Sequence, residues 1–216
     1  MSGAIKVVAV SGGIGGAKLA LGLYRVLPAD SLMVACNTGD DFEHLGFCIC
    51  PDLDTVAYTL AGIANPQTGW GRAGETWAFM SALAALGGET WFRLGDADLA
   101  LHVERTRRLA AGETLSDVST DLCRRLGIRA RVVPMSDQPV RTMVHTDDGT
   151  LAFQRYFVQN RCQPGVTGFS FHGYADAQPS LPLWETLISD GLEAVIGIQR
   201  HDDAGPGGRH PDTDGA

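Results

Sequence analysis

The chain has 216 residues, of which 44% are hydrophobic and 19% are charged, and its formal net charge is −8. The apolar content is enough for a buried core, and the acidic balance disfavours general attraction to nucleic acid or anionic membranes. We expect neither a bilayer-spanning segment nor a secretory signal, because the sequence has no long apolar run. The five cysteines form no C-x-x-C pair, which favours reduced thiols in a cytoplasmic protein over a disulfide framework or a zinc site.

Strand and helix patterns alternate along the chain, which is typical of an α/β fold. The sequence predicts a strand over 5–10, a glycine-rich loop over 11–18, a helix up to Pro28 and a strand over 32–36. Two apolar strands joined by a helix predict a parallel, helix-covered sheet. The later predicted elements are helices over 54–62 and 76–86, a strand over 89–94, helices over 99–111 and 115–126, a strand over 130–133, a hairpin over 142–158, a helix over 183–192 and a strand over 194–198.

The glycine-rich loop contains Gly12, Gly13, Gly15, Gly16 and Lys18. A strand that enters such a loop and continues as a helix exposes backbone amides and the positive helix end, which suits phosphate. The loop matches neither G-x-x-x-x-G-K-[ST] nor G-x-G-x-x-G, so it is neither an ordinary ATP loop nor a standard dinucleotide fingerprint. The alternative interpretation is a tight strand-to-helix turn without a ligand.

Four aspartates follow the second predicted strand. Asp40 and Asp41 come directly after it, and Asp52 and Asp54 lie shortly beyond. In open α/β sheets ligands bind beyond the carboxyl ends of strands, and Mg²⁺ takes one or two carboxylates together with phosphate oxygens. A phosphate loop beside carboxylates therefore indicates phosphoryl-transfer chemistry. The alternative is that each aspartate caps a turn or a helix.

Two tryptophan-rich segments, over 70–77 and 91–98, each contain an arginine, Arg72 and Arg93. Aromatic rings with a nearby cation can hold a flat heteroaromatic ligand and its anionic group. From composition alone the simpler interpretation is that the tryptophans belong to the core and that Asp96 or Asp98 caps the helix that follows.

Seven segments occur in the order known from one family. They are 11–19 (SGGIGGAKL), 37–41 (NTGDD), 51–55 (PDLDT), 70–72 (WGR), 94–98 (LGDAD), 134–137 (PMSD) and 153–158 (FQRYFV). Together they resemble the transferases of coenzyme F-420 biosynthesis, called 2-phospho-L-lactate transferase or, in bacteria, phosphoenolpyruvate transferase. The resemblance extends over about residues 5–197.

This resemblance implies a Rossmann-like core with helical insertions and a Mg²⁺-dependent reaction. The reaction joins a guanosine-diphospho-activated three-carbon acid to the deazaflavin alcohol Fo and releases GMP. Asp54 and Arg93 match positions that contact Fo, and Asp40, Asp41 and Asp54 match carboxylates suited to the metal, which makes them the candidate catalytic groups. Gly12–Gly16 match positions at the end of the site that binds the diphosphate of the nucleotide. The implied partners are these small molecules, with no nucleic acid or membrane, and a homodimer is compatible with the resemblance.

Two departures from the family pattern stand out. Many relatives have arginine where this chain has Ala97, so that a cationic contact is lost or supplied by Arg93 or Arg105. Relatives also continue beyond the strand over 194–198, whereas this chain has a polar stretch over 199–216. We expect 1–198 to form an incomplete transferase domain with impaired activity, and 199–216 to be a disordered tail that resembles an out-of-frame reading.

Three interpretations of function remain open at this point. The chain is an active transferase of this pathway, a truncated remnant that binds nucleotide or Fo without turnover, or a nicotinamide-dependent oxidoreductase. The last is the weakest, because the dinucleotide fingerprint is incomplete. The sequence leaves open whether the acid is phospholactate, phosphoenolpyruvate or phosphoglycerate.

Overall fold

A computed structural model describes residues 5–197; the predicted tail over 199–216 lies outside them. Its strands are β1 (Val7–Ser11), β2 (Leu32–Cys36), β3 (Phe42–His44), β4 (Phe47–Ile49), β5 (Arg131–Pro134), β6 (Arg141–Thr146), β7 (Gly149–Ala152), β8 (Val166–His172) and β9 (Ala194–Gly197). Its helices are α1 (Gly13–Val26), α2 (Pro51–Ala61), α3 (Ala78–Ala85), α4 (Asp96–Ala110), α5 (Leu115–Arg125) and α6 (Leu181–Leu187). A short 3₁₀ turn covers Ala29–Ser31, and a π-helical turn covers Arg155–Gln159.

The central sheet has four strands in the order β5-β2-β1-β9, and all three pairings are parallel. The carboxyl ends of β1, β2 and β5 therefore lie at one edge, which is where parallel α/β sheets bind ligands. A separate antiparallel sheet in the order β7-β6-β8 contains the predicted hairpin. The predicted α/β fold with a mainly parallel sheet, helical insertion and hairpin is confirmed.

Strand alternation divides the core of the central sheet into two layers. Side chains on one face of β1 and β2 pack with α1, α2 and α5, and those on the other face pack around Leu183 of α6. Both faces are buried, which explains why β1 and β2 consist of continuous apolar runs rather than alternating ones. A third cluster, built around Ile49, Met80 and Leu94, is the core of the helical insertion.

One predicted strand, over 89–94, is wrong, because this segment is irregular in the structure. Its apolar residues do not pair with a strand. Trp91 and Phe92 pack instead against Phe42 and His44 of β3, with ring centroids 4.9–5.9 Å apart across the two segments. Strands β3, β4 and β8 have no counterpart among the predicted elements, and the second arm of the hairpin ends at Ala152 before the π-helical turn.

Two further expectations concern thiols and membrane spans. All five cysteines are free thiols, which agrees with the expected absence of a disulfide framework. Within residues 5–197, none of the helices combines the length and the apolar character that crossing a membrane would require.

Candidate active site

The glycine-rich loop turns sharply between β1 and α1. Gly12 is extended, and Gly13 adopts a left-handed conformation with φ of +59°, which glycine enters without steric penalty. Gly16 packs directly on β1, because a Cβ at this position would lie 2.6 Å from Ser11 Oγ and 3.0 Å from Ser11 Cα. Gly15 and Lys18 are exposed. The loop thus presents an accessible helix N-terminus, as the phosphate interpretation requires.

Asp52 holds this loop in place. Its Oδ1 accepts a hydrogen bond of 2.6 Å from the Gly13 amide, and its Oδ2 accepts one of 2.8 Å from Asn37 Nδ2. Asn37 Oδ1 in turn accepts a 3.0 Å hydrogen bond from the Gly39 amide. One carboxylate therefore joins the glycine loop after β1 to the loop after β2. The amides of Ile14 and Gly15 follow in the first turn of α1, where a helix leaves its N–H groups without intrahelical acceptors.

Asp40 and Asp41 lie in the loop after β2, where they are poorly solvated. Asp41 is only 3% exposed, and among the described residues its Oδ1 has no hydrogen-bond partner. Burial raises the pKa of Asp41 well above its usual value. Burial, together with the nearby charge of Asp52, raises the pKa of Asp40 to about 6. Crowded, desolvated carboxylates of this kind are stabilised by a bound cation.

Asp54 faces a different part of the molecule. Arg105 of α4, itself 3% exposed, pairs with both oxygens of Asp54: Nη2 contacts Oδ1, and Nη1 lies 3.2 Å from Oδ2. His102 Nδ1 lies 3.7 Å from the same Oδ2, and His102 Nε2 lies 3.2 Å from Asp98 Oδ2. Asp98 also accepts a 2.5 Å hydrogen bond from the Tyr58 hydroxyl. These groups form a buried polar network between α2 and α4.

The helix geometry of α2 explains why the carboxylates of Asp52 and Asp54 contact different parts of the molecule. Pro51 is the first residue of α2, so Asp52 and Asp54 both lie in its first turn. Residues two apart on a helix point in nearly opposite directions, which directs Asp52 to the glycine loop and Asp54 to α4. In residues 5–197, no group of three His, Cys, Asp or Glu side chains is arranged to hold a metal ion. Asp40 and Asp41 thus lie side by side in the loop after β2, whereas Asp54 is directed toward α4. The metal-binding roles of all three aspartates remain predictions.

The segment around Arg93 is held by a reciprocal pair of helix caps. Glu75 accepts hydrogen bonds of 2.8 and 2.9 Å from the amides of Ala97 and Asp98 at the start of α4. Asp96 accepts two of 3.0 Å from the amides of Ala78 and Phe79 at the start of α3. The prediction that Asp96 or Asp98 caps the helix that follows is therefore wrong: Asp96 caps α3, and Glu75 caps α4.

Arg93 itself is exposed, and its guanidinium carbon lies 4.1 Å from the centre of the Trp77 ring. Trp70 is 57% exposed and Trp77 is 38% exposed, so these two rings are not core residues. The expectation that the tryptophans are core is wrong for both. An exposed cation stacked on an exposed ring is available to a ligand, as the resemblance implies for Arg93.

The resemblance implies that Arg93 contacts Fo; if it does, Arg93→Ala should raise the Fo concentration needed for half-maximal binding several-fold with little change in melting temperature. The physical reason is that Arg93 is exposed and its cation–π contact contributes only about 0.5–1 kcal/mol at such a site. Titration with Fo and thermal melting of the same samples check this prediction. A drop of several degrees in melting temperature with unchanged Fo affinity would show that Arg93 is structural.

Comparison with known proteins places the chain in a family. The model of the family described as 2-phospho-L-lactate transferase CofD matches residues 7–189. The chain belongs to this family. That match includes the glycine loop, both aspartate pairs and the Arg93 segment.

Curated relatives agree with this assignment. The chain is 43% identical over 188 residues to the phosphoenolpyruvate transferase of Streptomyces avermitilis, an alignment covering 85% of this chain and 59% of the relative. It is 42% identical over 185 residues to the phosphoenolpyruvate transferase of Kitasatospora aureofaciens, covering 83% and 54%. This chain of the CofD family thus spans less than two thirds of the length of these relatives.

A solved structure supports the fold. A member of the UPF0052 family from Bacillus halodurans matches with a TM-score of 0.55 at 13% identity, covering 89% of this chain and 59% of that one. At this identity the likeness concerns the fold alone.

Asp52 belongs to the acidic cluster that the sequence indicates. Neither Asp52 nor Asn37, however, was predicted to be a site residue. The available signal was the proline at 51, which predicts that the helix begins there and that both aspartates lie in its first turn. The helix prediction instead began at Asp54, which concealed the opposite directions of the two carboxylates.

Proposed function

We propose that this member of the CofD family is a cytoplasmic transferase that joins a guanosine-diphospho-activated three-carbon acid to the deazaflavin alcohol Fo, releasing GMP and forming a phosphodiester. The observation that carries the proposal is the contact of Asp52 with both the glycine loop and Asn37, because it sets a phosphate-binding helix end beside Asp40 and Asp41. The names of the relatives favour phosphoenolpyruvate as the acid.

The proposal includes Mg²⁺, and Asp40 and Asp41 suit it. Mg²⁺ is commonly held by one or two carboxylates together with substrate phosphates and water, so two aspartates are sufficient. Asp41 Oδ1 is buried without a partner in the described residues, which is the state expected of an oxygen reserved for a ligand. Asp52 and Asp54 have both oxygens engaged by protein donors. We therefore assign Mg²⁺ to Asp40 and Asp41, and not to Asp54.

Each residue then has a defined task in the transfer. The amides of Ile14 and Gly15 would bind the diphosphate, while Asp52 keeps Gly13 in the conformation that exposes them. The hydroxyl oxygen of Fo attacks the phosphorus that bears the acid, the bond from that phosphorus to the GMP oxygen breaks, GMP leaves with the electron pair of that bond, and the hydroxyl proton is released to solvent. Bound Mg²⁺ would neutralise charge on the phosphate oxygens during this exchange. Catalysis of this type rests mainly on positioning and charge.

The deciding experiment mixes the protein with Fo, the guanosine-diphospho-activated acid and Mg²⁺, and measures GMP release together with the Fo phosphodiester. We expect both products in equal amounts, and neither without Mg²⁺. A titration with a nicotinamide coenzyme is the control for the oxidoreductase alternative. Binding of Fo without either product would contradict the transferase proposal and favour the non-catalytic alternative.

We expect Asp52→Asn to weaken guanine-nucleotide binding about 10- to 100-fold, because hydrogen bonds to a charged group contribute roughly 1.5–3 kcal/mol. The amide can accept from only one of its two present donors and turns an N–H₂ group toward the other. Equilibrium dialysis with GDP measures the loss, with exposed Asp30→Asn as the matched charge control. Wild-type GDP affinity in Asp52→Asn would remove this residue from the phosphate site.

A further inference from the structure

Two thiols lie side by side where β4 ends and α2 begins. Cys48 belongs to β4, and Cys50 directly precedes Pro51, the first residue of α2. Because it precedes proline, Cys50 stays out of the helical conformation, with φ of −123° and ψ of 78°. Side chains two positions apart on an extended chain point to the same side, and the two Sγ atoms are 3.7 Å apart. We call this pair the dithiol.

The geometry of the dithiol suits a disulfide. Two steps along an extended chain separate the Cα atoms by at most about 7 Å, and disulfides span roughly 4.4–6.8 Å between Cα atoms. The Sγ atoms have to approach each other to about 2.0 Å, which requires rotation of both side chains and a small shift of the backbone. The pair can therefore be bridged within the present fold.

The two thiols of the pair differ in accessibility. Cys48 is half-buried, whereas Cys50 is fully buried. A hydrogen bond from the Cys50 thiol lowers the pKa of Cys48, and the positive charge of Arg105 lowers it further. The thiolate is the reactive form of cysteine, so a small oxidant meets Cys48 first. Burial raises the pKa of Cys36 and of Cys123, which makes these two thiols unreactive.

The dithiol adjoins the contacts that hold the glycine loop. The Cys48 amide donates a 2.8 Å hydrogen bond to Thr106 Oγ1, and the Cys48 carbonyl accepts one of 3.2 Å from Arg105 Nη1. Both partners belong to α4, so the backbone of Cys48 is held in place. Cys50 leads directly into the first turn of α2, where Asp52 accepts the hydrogen bond from the glycine loop. When the two sulfurs approach each other, the start of α2 therefore moves and the contact of Asp52 is disturbed.

We propose that Cys48 and Cys50 form a modification site at which a hydroperoxide closes the dithiol to a disulfide, and that this disulfide weakens nucleotide binding at the glycine loop. The effect on nucleotide binding rests on the proposed function, whereas the formation of the disulfide does not. None of the site predictions made from the sequence or from the family resemblance included either cysteine.

The oxidation takes place in two steps. The Cys48 thiolate attacks one oxygen of the hydroperoxide, the O–O bond breaks, and Cys48 becomes a sulfenic acid while the other oxygen leaves and takes a proton from water. The Cys50 sulfur then attacks the Cys48 sulfur, the S–O bond breaks, and the oxygen leaves as water with the proton of the Cys50 thiol. The two thiols lose two electrons, which the peroxide gains. A dithiol reductant reverses the change by thiol–disulfide exchange.

Hydrogen peroxide is the probe, and differential alkylation of the denatured protein, measured by mass spectrometry, identifies the oxidised cysteines. In the unaltered chain we expect a disulfide between Cys48 and Cys50, with Cys36 and Cys123 still reduced. Equilibrium dialysis should show a several-fold lower affinity for GDP after oxidation, and dithiothreitol should restore the original affinity.

Two variants separate the dithiol from the other thiols. Cys48→Ser should bind GDP as the reduced protein does, both before and after peroxide treatment. Cys162→Ser removes the exposed thiol and is the matched control, which should respond to peroxide like the unaltered chain. Thermal melting confirms that both variants fold. If Cys48→Ser does not fold, alkylation of the unaltered chain still decides whether the disulfide forms.

Oxidation of Cys162 with Cys48 and Cys50 still reduced would overturn the proposal. A disulfide between Cys48 and Cys50 with unchanged GDP affinity would overturn its link to the nucleotide site. Failure of the reduced protein to bind GDP would instead refute the nucleotide part of the proposed function, and with it this link. In that case the alkylation pattern would still confirm or refute the modification site.

Discussion

Asp54→Asn is expected to lower the free energy of unfolding by about 3–5 kcal/mol, because it leaves the Arg105 guanidinium buried without its charged partner. For a chain of this size each kcal/mol corresponds to roughly 2–4 °C in melting temperature, so the shift should exceed 6 °C. The family resemblance makes Asp54 a candidate catalytic group, which by itself implies lost turnover with an intact fold. The contacts with Arg105 predict a stability defect as well.

Thermal melting of three variants measures this effect. Glu104→Gln is the matched control, because Glu104 pairs with Arg107 in the same helix as Arg105 but at the surface, where ion pairs contribute little. The double variant Asp54→Asn/Arg105→Met should lose less stability than Asp54→Asn alone, since it also removes the unpaired charge. An unchanged melting temperature in Asp54→Asn, together with lost turnover, would show that Asp54 acts on the metal or on Fo.

Asp41→Asn is expected to reduce turnover at least about 100-fold, which corresponds to some 2.7 kcal/mol of transition-state stabilisation. Its melting temperature should stay level or rise, because burial raises the pKa of Asp41 and shows that its charge is poorly solvated in the unliganded protein. The expected effect on stability is the opposite of the one expected for Asp54→Asn.

Initial rates of GMP release over a range of Mg²⁺ concentrations, measured beside melting curves, check the role of Asp41. Asp30→Asn removes one exposed carboxylate and controls for net charge. A near-normal rate of Asp41→Asn at saturating Mg²⁺ would contradict the assignment of the metal to this residue. A marked loss of stability would indicate that Asp41 supports the fold rather than the reaction.

The central β1–α1–β2 unit could be predicted from the sequence because its signals are local. Apolar β-branched runs, a glycine loop and helical spacing each lie within a few consecutive residues, and the structure confirms all three elements. The same holds for α5, because Thr114, which directly precedes it, belongs to a residue type that commonly caps helices, and its Oγ1 accepts a 3.1 Å hydrogen bond from the Asp117 amide. The family segments are likewise readable along the chain, and the family match confirms the membership they indicated.

The strand predicted over 89–94 is wrong because the local sequence pattern does not show which segments pack together. Its composition resembles a strand, but a strand needs a neighbouring edge to pair with, and Trp91 and Phe92 are drawn into an aromatic cluster with Phe42 instead. Strand β8 was missed for the converse reason. Phe169 and Phe171 alternate with small residues as in a strand, but its edge position beside β6 is fixed by pairing with residues about 25 positions earlier.

The sequence by itself determined the fold class, the family and the stretch of chain in which the candidate acidic residues lie. Only the tertiary structure decided which groups each carboxylate contacts. The two-residue step from Asp52 to Asp54 reverses direction on a helix, so one meets the Gly13 amide and the other meets Arg105, more than 50 residues away. The approach of β6 to the loop after β2 likewise depends on a contact between distant residues, the hydrogen bond from the Thr142 amide to the Gly39 carbonyl. Contacts between distant segments leave no periodic pattern along the chain, because they arise only when separate elements pack together.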